Sequence, residues 1–139
     1  MEDWQPGCNG SVPPAAFVGG KDVDSILYIA RARHNGGWML GKLNPRHRRC
    51  YIAYEGEEIG KSNYEVLCGS NLNFVWMKSS EGLVPISVPV TDEEDTFIGR
   101  VHHKGTITVG KVDHHNGVCY ISFNGQVISY KSYEVLCYA

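Results

Sequence analysis

The sequence NYEVLC at Asn63–Cys68 returns almost unchanged as SYEVLC at Ser132–Cys137, 69 residues later. When the chain is shifted by 69 residues, Tyr28–Cys68 aligns without a gap on Phe97–Cys137, and 16 of the 41 aligned positions are identical. The chain is therefore an internal duplication. Two copies are too few for an open solenoid, so we expect them to pack face to face about a pseudo-twofold axis.

The duplication extends upstream with a slightly longer spacing, because Trp4 corresponds to Trp76. We predict a first repeat at residues 1–69 and a second repeat at residues 70–139. A chain of 139 residues is long enough to bury a core, so the two repeats are expected to form one compact unit.

Each repeat has the sequence pattern of short β-strands. Ser25–Arg33 and Cys50–Tyr54 are rich in β-branched and aromatic residues, and both runs recur in the second repeat. Asn35-Gly36 and Asn124-Gly125 supply the residues that tight hairpins require at positive φ. No window of a dozen residues has a helical period. The sequence therefore predicts an all-β fold made of two tandem antiparallel β-sheet repeats.

Composition and charge exclude several classes of function. The net charge of −2 provides no basic field, so we expect no nucleic-acid partner. No stretch of about 18 apolar residues occurs, so we expect no membrane insertion. The N-terminal sequence MEDWQPGCNG is acidic and polar, unlike a secretory signal, which favours a cytoplasmic or unconventionally secreted protein.

Several residues that recur in both repeats are predicted to be structural. Arg31 and Arg100, like Glu65 and Glu134, lie among apolar strand neighbours, where a lone charge is costly. We therefore predict one buried Arg–Glu ion pair in each repeat. The recurring cysteines lie in similar apolar strands and are predicted to be reduced core residues, namely Cys50, Cys68, Cys119 and Cys137.

Two lysines are candidates for a binding site. Lys42 and Lys111 each follow a glycine at a strand edge, and each has a short acidic loop upstream, at Lys21–Asp24 and at Thr91–Asp95. A carboxylate accepts hydrogen bonds and an ammonium group donates them, so the pair suits two neighbouring sugar hydroxyls. The same residue types also occur simply as solvated surface charges.

The pattern W…G…P…GG-x-D…LYIARA…GK…CYIAY-x-G-E-E…YEVL, with its counterpart in the second half, resembles the DM-nine repeat family. Members include mannose-binding bivalve lectins built from two tandem repeats, and the repeats also occur in natterin-like proteins. The resemblance covers essentially the whole chain. It implies a homodimeric, mannose-specific lectin that binds without a metal ion or cofactor. Such a protein would recognise and agglutinate mannose-rich microbial surfaces in innate immunity.

The resemblance also implies which residues hold the sugar. They are the aspartate ahead of the LYIAR strand and the lysine of the GK sequence, which are Asp22 and Lys42 in this chain. In the second repeat Lys111 corresponds to Lys42, and the carboxylate is either Asp92 or Glu93. The acidic loop is shorter than the common family form, most of all in the second repeat. The second site is therefore expected to be either weaker or silent.

Two more residues of the first repeat are candidates. Trp38, four residues before Lys42, is either an aromatic platform for the apolar face of a sugar or ordinary packing. Glu58 follows the CYIAY strand and is a candidate contributor to the first site. It has no acidic counterpart, because Val127 occupies the equivalent position.

Alternative functions remain open at this stage. The pairs His102-His103 and His114-His115 would make the chain a metal-dependent binding module if adjacent strands brought them together. A structural interaction module without sugar binding is a further alternative. An enzyme is not expected, because the chain has neither a Gly-rich strand-to-helix turn for a nucleotide cofactor nor a convincing catalytic triad.

Overall fold

Antiparallel strands make up most of the chain. The computed structural model describes residues 3–70, 73–81, 83, 91–93 and 96–139. The strands are β1 (Asp3–Cys8), β2 (Val18–Lys21), β3 (Ile26–His34), β4 (Gly37–Asn44), β5 (Arg49–Tyr54), β6 (Glu57–Lys61), β7 (Asn63–Cys68), β8 (Phe74–Ser80), β9 (Thr91–Glu93), β10 (Thr96–His103), β11 (Thr106–Asp113), β12 (Val118–Phe123), β13 (Gln126–Tyr130) and β14 (Ser132–Tyr138). The predicted all-β class is confirmed. In these ranges no helix is long and apolar enough to cross a membrane.

The two repeats have the same strand pairing. Arg31 of β3 lies opposite Leu40 of β4, and 69 residues later Arg100 of β10 lies opposite Val109 of β11. β7 pairs with the other edge of β3, as β14 does with β10. β1 and β8 then pair with β7 and β14. The prediction of two tandem antiparallel repeats is confirmed.

The pseudo-twofold axis passes through the contact between β6 and β13. There Glu57 pairs with Gln126, and Gln126 is the residue of the second repeat that corresponds to Glu57. An antiparallel contact between equivalent residues is what a twofold axis at that point requires. The strand order β1-β7-β3-β4-β5-β6-β13-β12-β11-β10-β14-β8 accordingly has the same pattern from either end.

β2 forms a second junction between the repeats. It pairs with β3 of its own repeat, and its residue Lys21 pairs with Ile107 of β11. The approach is close, since a Cβ added at Gly20 would lie 2.0 Å from the main-chain oxygen of Ile107. Only glycine permits such an approach. β2 thus ties the first repeat to the second through main-chain contact.

Among the residues that the structure describes, apolar side chains form three buried clusters, one within each repeat and one shared between them. The cluster of the first repeat contains Ala32, Leu43, Cys50, Ile52, Tyr64 and Val66. The equivalent residues form the cluster of the second repeat, namely Val101, Val112, Cys119, Ile121, Tyr133 and Val135. The shared cluster combines Ile29, Leu40 and Leu67 with their counterparts Ile98, Val109 and Leu136. Burial of this shared cluster fixes the repeats relative to each other.

The predicted turns and core cysteines are also observed. Asn35 and Asn124 have φ of 51°, and the glycines that follow them also have positive φ, as the two-residue hairpins require. The four recurring cysteines are buried. Desolvation raises the pKa of the Cys50 and Cys119 thiols to about 12.

The predicted Arg–Glu pairs both form. Nη2 of Arg31 lies 2.7 Å from Oε1 of Glu65, and Nε of Arg100 lies 2.8 Å from Oε1 of Glu134. The four side chains remain between 18% and 25% exposed. The pairs therefore lie at the rim of the shared cluster and are only partly buried, which lowers their desolvation cost relative to the predicted core position.

Candidate functional site

The structure brings Asp22, Lys42 and Glu58 together in one cleft of about 410 Å³, which we call the Lys42 cleft. Both repeats contribute to its walls. The lining residues are Asp22, Val23, Asp24, Lys42, Asn44, His47, Tyr51 and Glu58 from the first repeat, and Phe123 and Asn124 from the second. The site therefore lies at the junction between the repeats.

The main chain of β4 places Lys42 at the bottom of this cleft. Lys42 pairs with Tyr51 of β5, and a Cβ at the preceding Gly41 would lie 2.3 Å from the main-chain oxygen of Tyr51. The glycine thus allows β4 and β5 to approach where the lysine side chain begins. The lysine is 4% exposed. This explains why glycine and lysine recur together in both repeats.

The ammonium group of Lys42 joins the two repeats. It donates a hydrogen bond to the main-chain oxygen of Ser122, and it lies 3.5 Å from Oε2 of Glu58. Burial lowers the pKa of Lys42, and the negative charges of Glu58 and Asp22 partly oppose that shift. The carboxylates therefore favour the charged form of a lysine that has lost most of its water.

Glu58 holds the opposite wall in place. Its Oε1 accepts a hydrogen bond of 2.9 Å from the main-chain nitrogen of Gly125, and its own nitrogen donates to the Gly125 oxygen at 3.2 Å. The side chain is 10% exposed. Glu58 thus fixes both the ammonium group of Lys42 and the hairpin of the second repeat.

Asp22 lies at the mouth of the cleft in a tight turn. Its nitrogen donates to the oxygen of Ser25 at 2.7 Å, and its Oδ1 accepts from the nitrogen of Val23 at 2.7 Å. Oδ2 is 3.5 Å from Nδ2 of Asn44, which is 1% exposed. Asn44 in turn accepts hydrogen bonds from the main chain of the following turn. A carboxylate and a carboxamide are thereby held side by side.

Aromatic rings complete the walls of the cleft. The Phe123 ring centroid lies 5.6 Å from Nζ of Lys42, and the His103 ring packs edge-on against the same phenylalanine at 4.6 Å. On the other side, the hydroxyl of Tyr51 hydrogen-bonds Nδ1 of His47 at 3.1 Å. Burial, and then the charge of Glu58, raise the pKa of Tyr51.

The equivalent cleft of the second repeat has a different set of groups. Nζ of Lys111 lies 3.5 Å from the main-chain oxygen of Ala53, which is the counterpart of Ser122. The cleft has a volume of about 380 Å³, and Val127 lines it at the position equivalent to Glu58. The predicted carboxylates Asp92 and Glu93 belong to β9, but their side chains lie outside the described part of the structure.

The structure places Trp38 away from Lys42. Its indole stacks on the guanidinium groups of Arg31 and Arg33, with centroid distances of 4.7 and 5.2 Å, and it lines a separate cleft. In the Lys42 cleft the aromatic ring beside the ammonium group belongs to Phe123 instead.

Several lining residues were missed from the sequence. Asn44 is two residues after Lys42 on the same face of β4, and Tyr51 lies opposite Lys42, so strand alternation and pairing register could have identified both. Neither strand alternation nor pairing register relates Phe123 to Lys42. Phe123 reaches the cleft only because the repeats pack against each other.

The histidine pairs do not meet. His103 lies opposite Thr106 at one end of β11, whereas His114 and His115 follow the other end of that strand. His103 hydrogen-bonds the hydroxyl of Tyr130 through Nδ1. Within the described ranges, no group of three His, Cys, Asp or Glu side chains is placed to hold a metal ion.

Comparisons with known proteins place this geometry in context. The sequence matches the model of the DM9 repeat at residues 2–61, 49–92 and 90–139. No protein of curated function matches it significantly in sequence. The crystal structure of the nematode sperm cell motility protein MFP2B is similar, with a TM-score of 0.74 and 17% identity over 99% of this chain and 44% of that chain. The likeness shows a shared fold, and the chain spans less than half of that protein.

Proposed function

The chain belongs to the DM9 repeat family, and from that premise we propose that it is a carbohydrate-binding protein whose Lys42 cleft holds mannose. The observation that carries the proposal is the placement of Asp22, Lys42 and Glu58 in one cleft with an aromatic wall. Adjacent sugar hydroxyls donate to the carboxylates and accept from the ammonium group. The C–H face of the ring packs on Phe123.

Direct binding without a metal ion is part of the proposal. Lys42 supplies, from within the cleft, the positive charge that a bound cation would otherwise bring. Burial to 4% exposure strengthens its hydrogen bonds, because little water competes for them. The carboxylates, the ammonium group and the aromatic wall of the cleft are groups that suit recognition of a neutral sugar.

The proposal extends to the biological role. One monosaccharide site of this kind binds weakly, with a Kd of roughly millimolar to tens of micromolar. Homodimerisation doubles the number of sugar sites in each assembly. Multivalent contact with mannose-rich microbial surfaces then raises the apparent affinity by about 10² or more. Agglutination in innate defence is the role that such avidity suits.

Calorimetric titration with mannose tests this function. We expect saturable binding that EDTA leaves unchanged and that Asp22→Ala and Lys42→Ala abolish. Lys104→Ala removes an exposed lysine outside the cleft and is the control that keeps full affinity. If the folded Asp22→Ala and Lys42→Ala variants bind mannose as tightly as the parent protein, the sugar binds elsewhere. Loss of binding in EDTA would instead support the metal-dependent alternative.

A further inference from the structure

A second pair of clefts lies apart from the Lys42 cleft. The larger, of about 640 Å³, is lined by residues of β8, β10 and β14, and we call it the Lys78 cleft. Its counterpart in the first repeat has a volume of about 420 Å³ and is lined by residues of β1, β3, β4, β6 and β7. Neither shares a lining residue with the Lys42 cleft. Both are large enough to hold a disaccharide.

Positive charge is concentrated in the Lys78 cleft. Glu134 is the only carboxylate among the described lining residues, and Nε of Arg100 and Nε2 of His102 lie 2.8 and 3.9 Å from its Oε1. Lys78 of β8 lies opposite Glu134 of β14 in the strand register. One carboxylate neutralises only one of the two cations in this lining, Arg100 and Lys78. The surplus is local, because the whole chain carries a net charge of −2.

Several donors in this cleft remain available to a ligand. Arg100 uses Nε for Glu134 and Nη1 for the main-chain oxygen of Gly19 at 3.4 Å, and no residue that the structure describes accepts a hydrogen bond from Nη2. Stacking on Trp76 at 4.2 Å holds the guanidinium group in place. Lys78 is exposed and has no ion-pair partner within the described ranges. The cleft thus offers a stacked guanidinium group and an exposed ammonium group.

The first repeat has the same excess of charge from different residues. Among the described lining residues of its cleft, Arg33 and Lys61 are the cations and Glu65 is the one carboxylate. Arg33 corresponds to His102, but Lys61 has no basic counterpart, and Pro6 takes the place of Lys78. A cationic cleft has therefore been kept although the residues that supply the charge have changed.

We propose that the Lys78 cleft binds an acidic saccharide, with its sulfate or carboxylate group held by Arg100 and Lys78. Planar guanidinium donors match the paired oxygens of such groups. Ser80 and Ser132 line the same cleft and supply hydroxyls for the remainder of the sugar. The site is separate from the proposed mannose site, so either can exist without the other.

Amide-resolved NMR titration of the intact chain tests the proposal, with glucosamine 6-sulfate and glucuronic acid as probes. We expect shift changes centred on β8, β10 and β14, and affinity that falls as salt is added. Lys78→Gln should weaken binding about two- to fivefold, and the double variant with His102→Gln further. Lys104→Gln makes the same change of charge outside the cleft and should leave affinity nearly unchanged.

Three results would overturn the proposal. The first is a set of shift changes centred away from β8, β10 and β14. The second is an equal effect of Lys78→Gln and Lys104→Gln, which would reduce the interaction to general electrostatics. The third is inorganic sulfate binding as tightly as the sulfated sugar, since the saccharide would then make no contribution. A preference between the two probes decides whether sulfate or carboxylate is the recognised group.

Discussion

Lys42 donates a hydrogen bond from Nζ to the main-chain oxygen of Ser122, a residue of the other repeat. In the other direction, Nζ of Lys111 lies 3.5 Å from the main-chain oxygen of Ala53 in the first repeat. Each lysine therefore depends on the opposite repeat for its position. The two sites are related by symmetry, yet they differ in the group beside the ammonium: Glu58 in one and Val127 in the other.

Removing the charge of Glu58 should weaken mannose binding at the first site. Glu58→Gln keeps an acceptor for the nitrogen of Gly125 but removes the carboxylate beside Lys42, so we expect affinity to fall about tenfold. Titration calorimetry measures the change. Val127→Glu is the matched variant, because it places a carboxylate near Lys111 and should strengthen the second site. Unchanged affinity in Glu58→Gln would show that Asp22 and Lys42 act without it.

Substitution of Gly41 should destabilise the protein. A Cβ there would lie 2.3 Å from the main-chain oxygen of Tyr51, so Gly41→Ala must separate β4 from β5 beneath Lys42. We expect a loss of about 2–4 kcal/mol in the free energy of unfolding, measured by urea denaturation. Gly37→Ala is the control, since a Cβ at that position has no atom within 4 Å. Similar stability of the two variants would contradict the close approach.

Replacing Arg31 with lysine should cost more stability than the same change at Arg100. The guanidinium group of Arg31 lies between two indoles, at 4.4 Å from Trp4 and 4.7 Å from Trp38, whereas that of Arg100 stacks on Trp76 at 4.2 Å. Lysine retains the charge but loses the planar stacking. We expect Arg31→Lys to lose about 0.5–1 kcal/mol more unfolding free energy than Arg100→Lys, as measured by thermal denaturation. Equal losses would mean that the second indole adds nothing.

Acid should destabilise the fold through His103. Desolvation, followed by the charges of Lys104 and Lys42, lowers the pKa of this 5% exposed histidine below 6.5. At a pH just below about 6.5, the unfolded chain therefore binds a proton at this histidine and the folded chain does not. The contribution of neutral His103 to stability is present above about pH 6.5 and is lost as the pH falls. The urea midpoint should decline more between about pH 7.5 and about pH 5 than in His103→Gln. Parallel declines would exclude His103 as the cause.

Much of the fold was predictable from the sequence because the duplication repeats the local signals. The hairpin residues Asn35 and Asn124 and the YEVLC strands establish antiparallel repeats without any structure. Asp22, Lys42 and Glu58 were all identified as site candidates, and the structure places them in one cleft. Whether they bind a sugar stays a prediction.

What the sequence did not predict depends on packing between the repeats. Trp38 lies on β4 with Lys42, but it stacks on Arg31 and Arg33 and lines a different cleft. Phe123 lies beside Lys42 instead, because the lysine side chain reaches the neighbouring residue Ser122 of β12 across the junction between the repeats. Position within one repeat cannot reveal a neighbour contributed by the other repeat.

The pairing of Glu57 with Gln126 is the geometry of two identical subunits whose chains have been joined into one polypeptide. In an assembly of separate identical chains, every substitution appears on both sides of the axis at once. Covalent fusion removes that constraint, so one half can keep a glutamate while the other acquires a valine. The tandem arrangement thus allowed two copies of one ancestral surface to evolve separate chemistries within a single molecule.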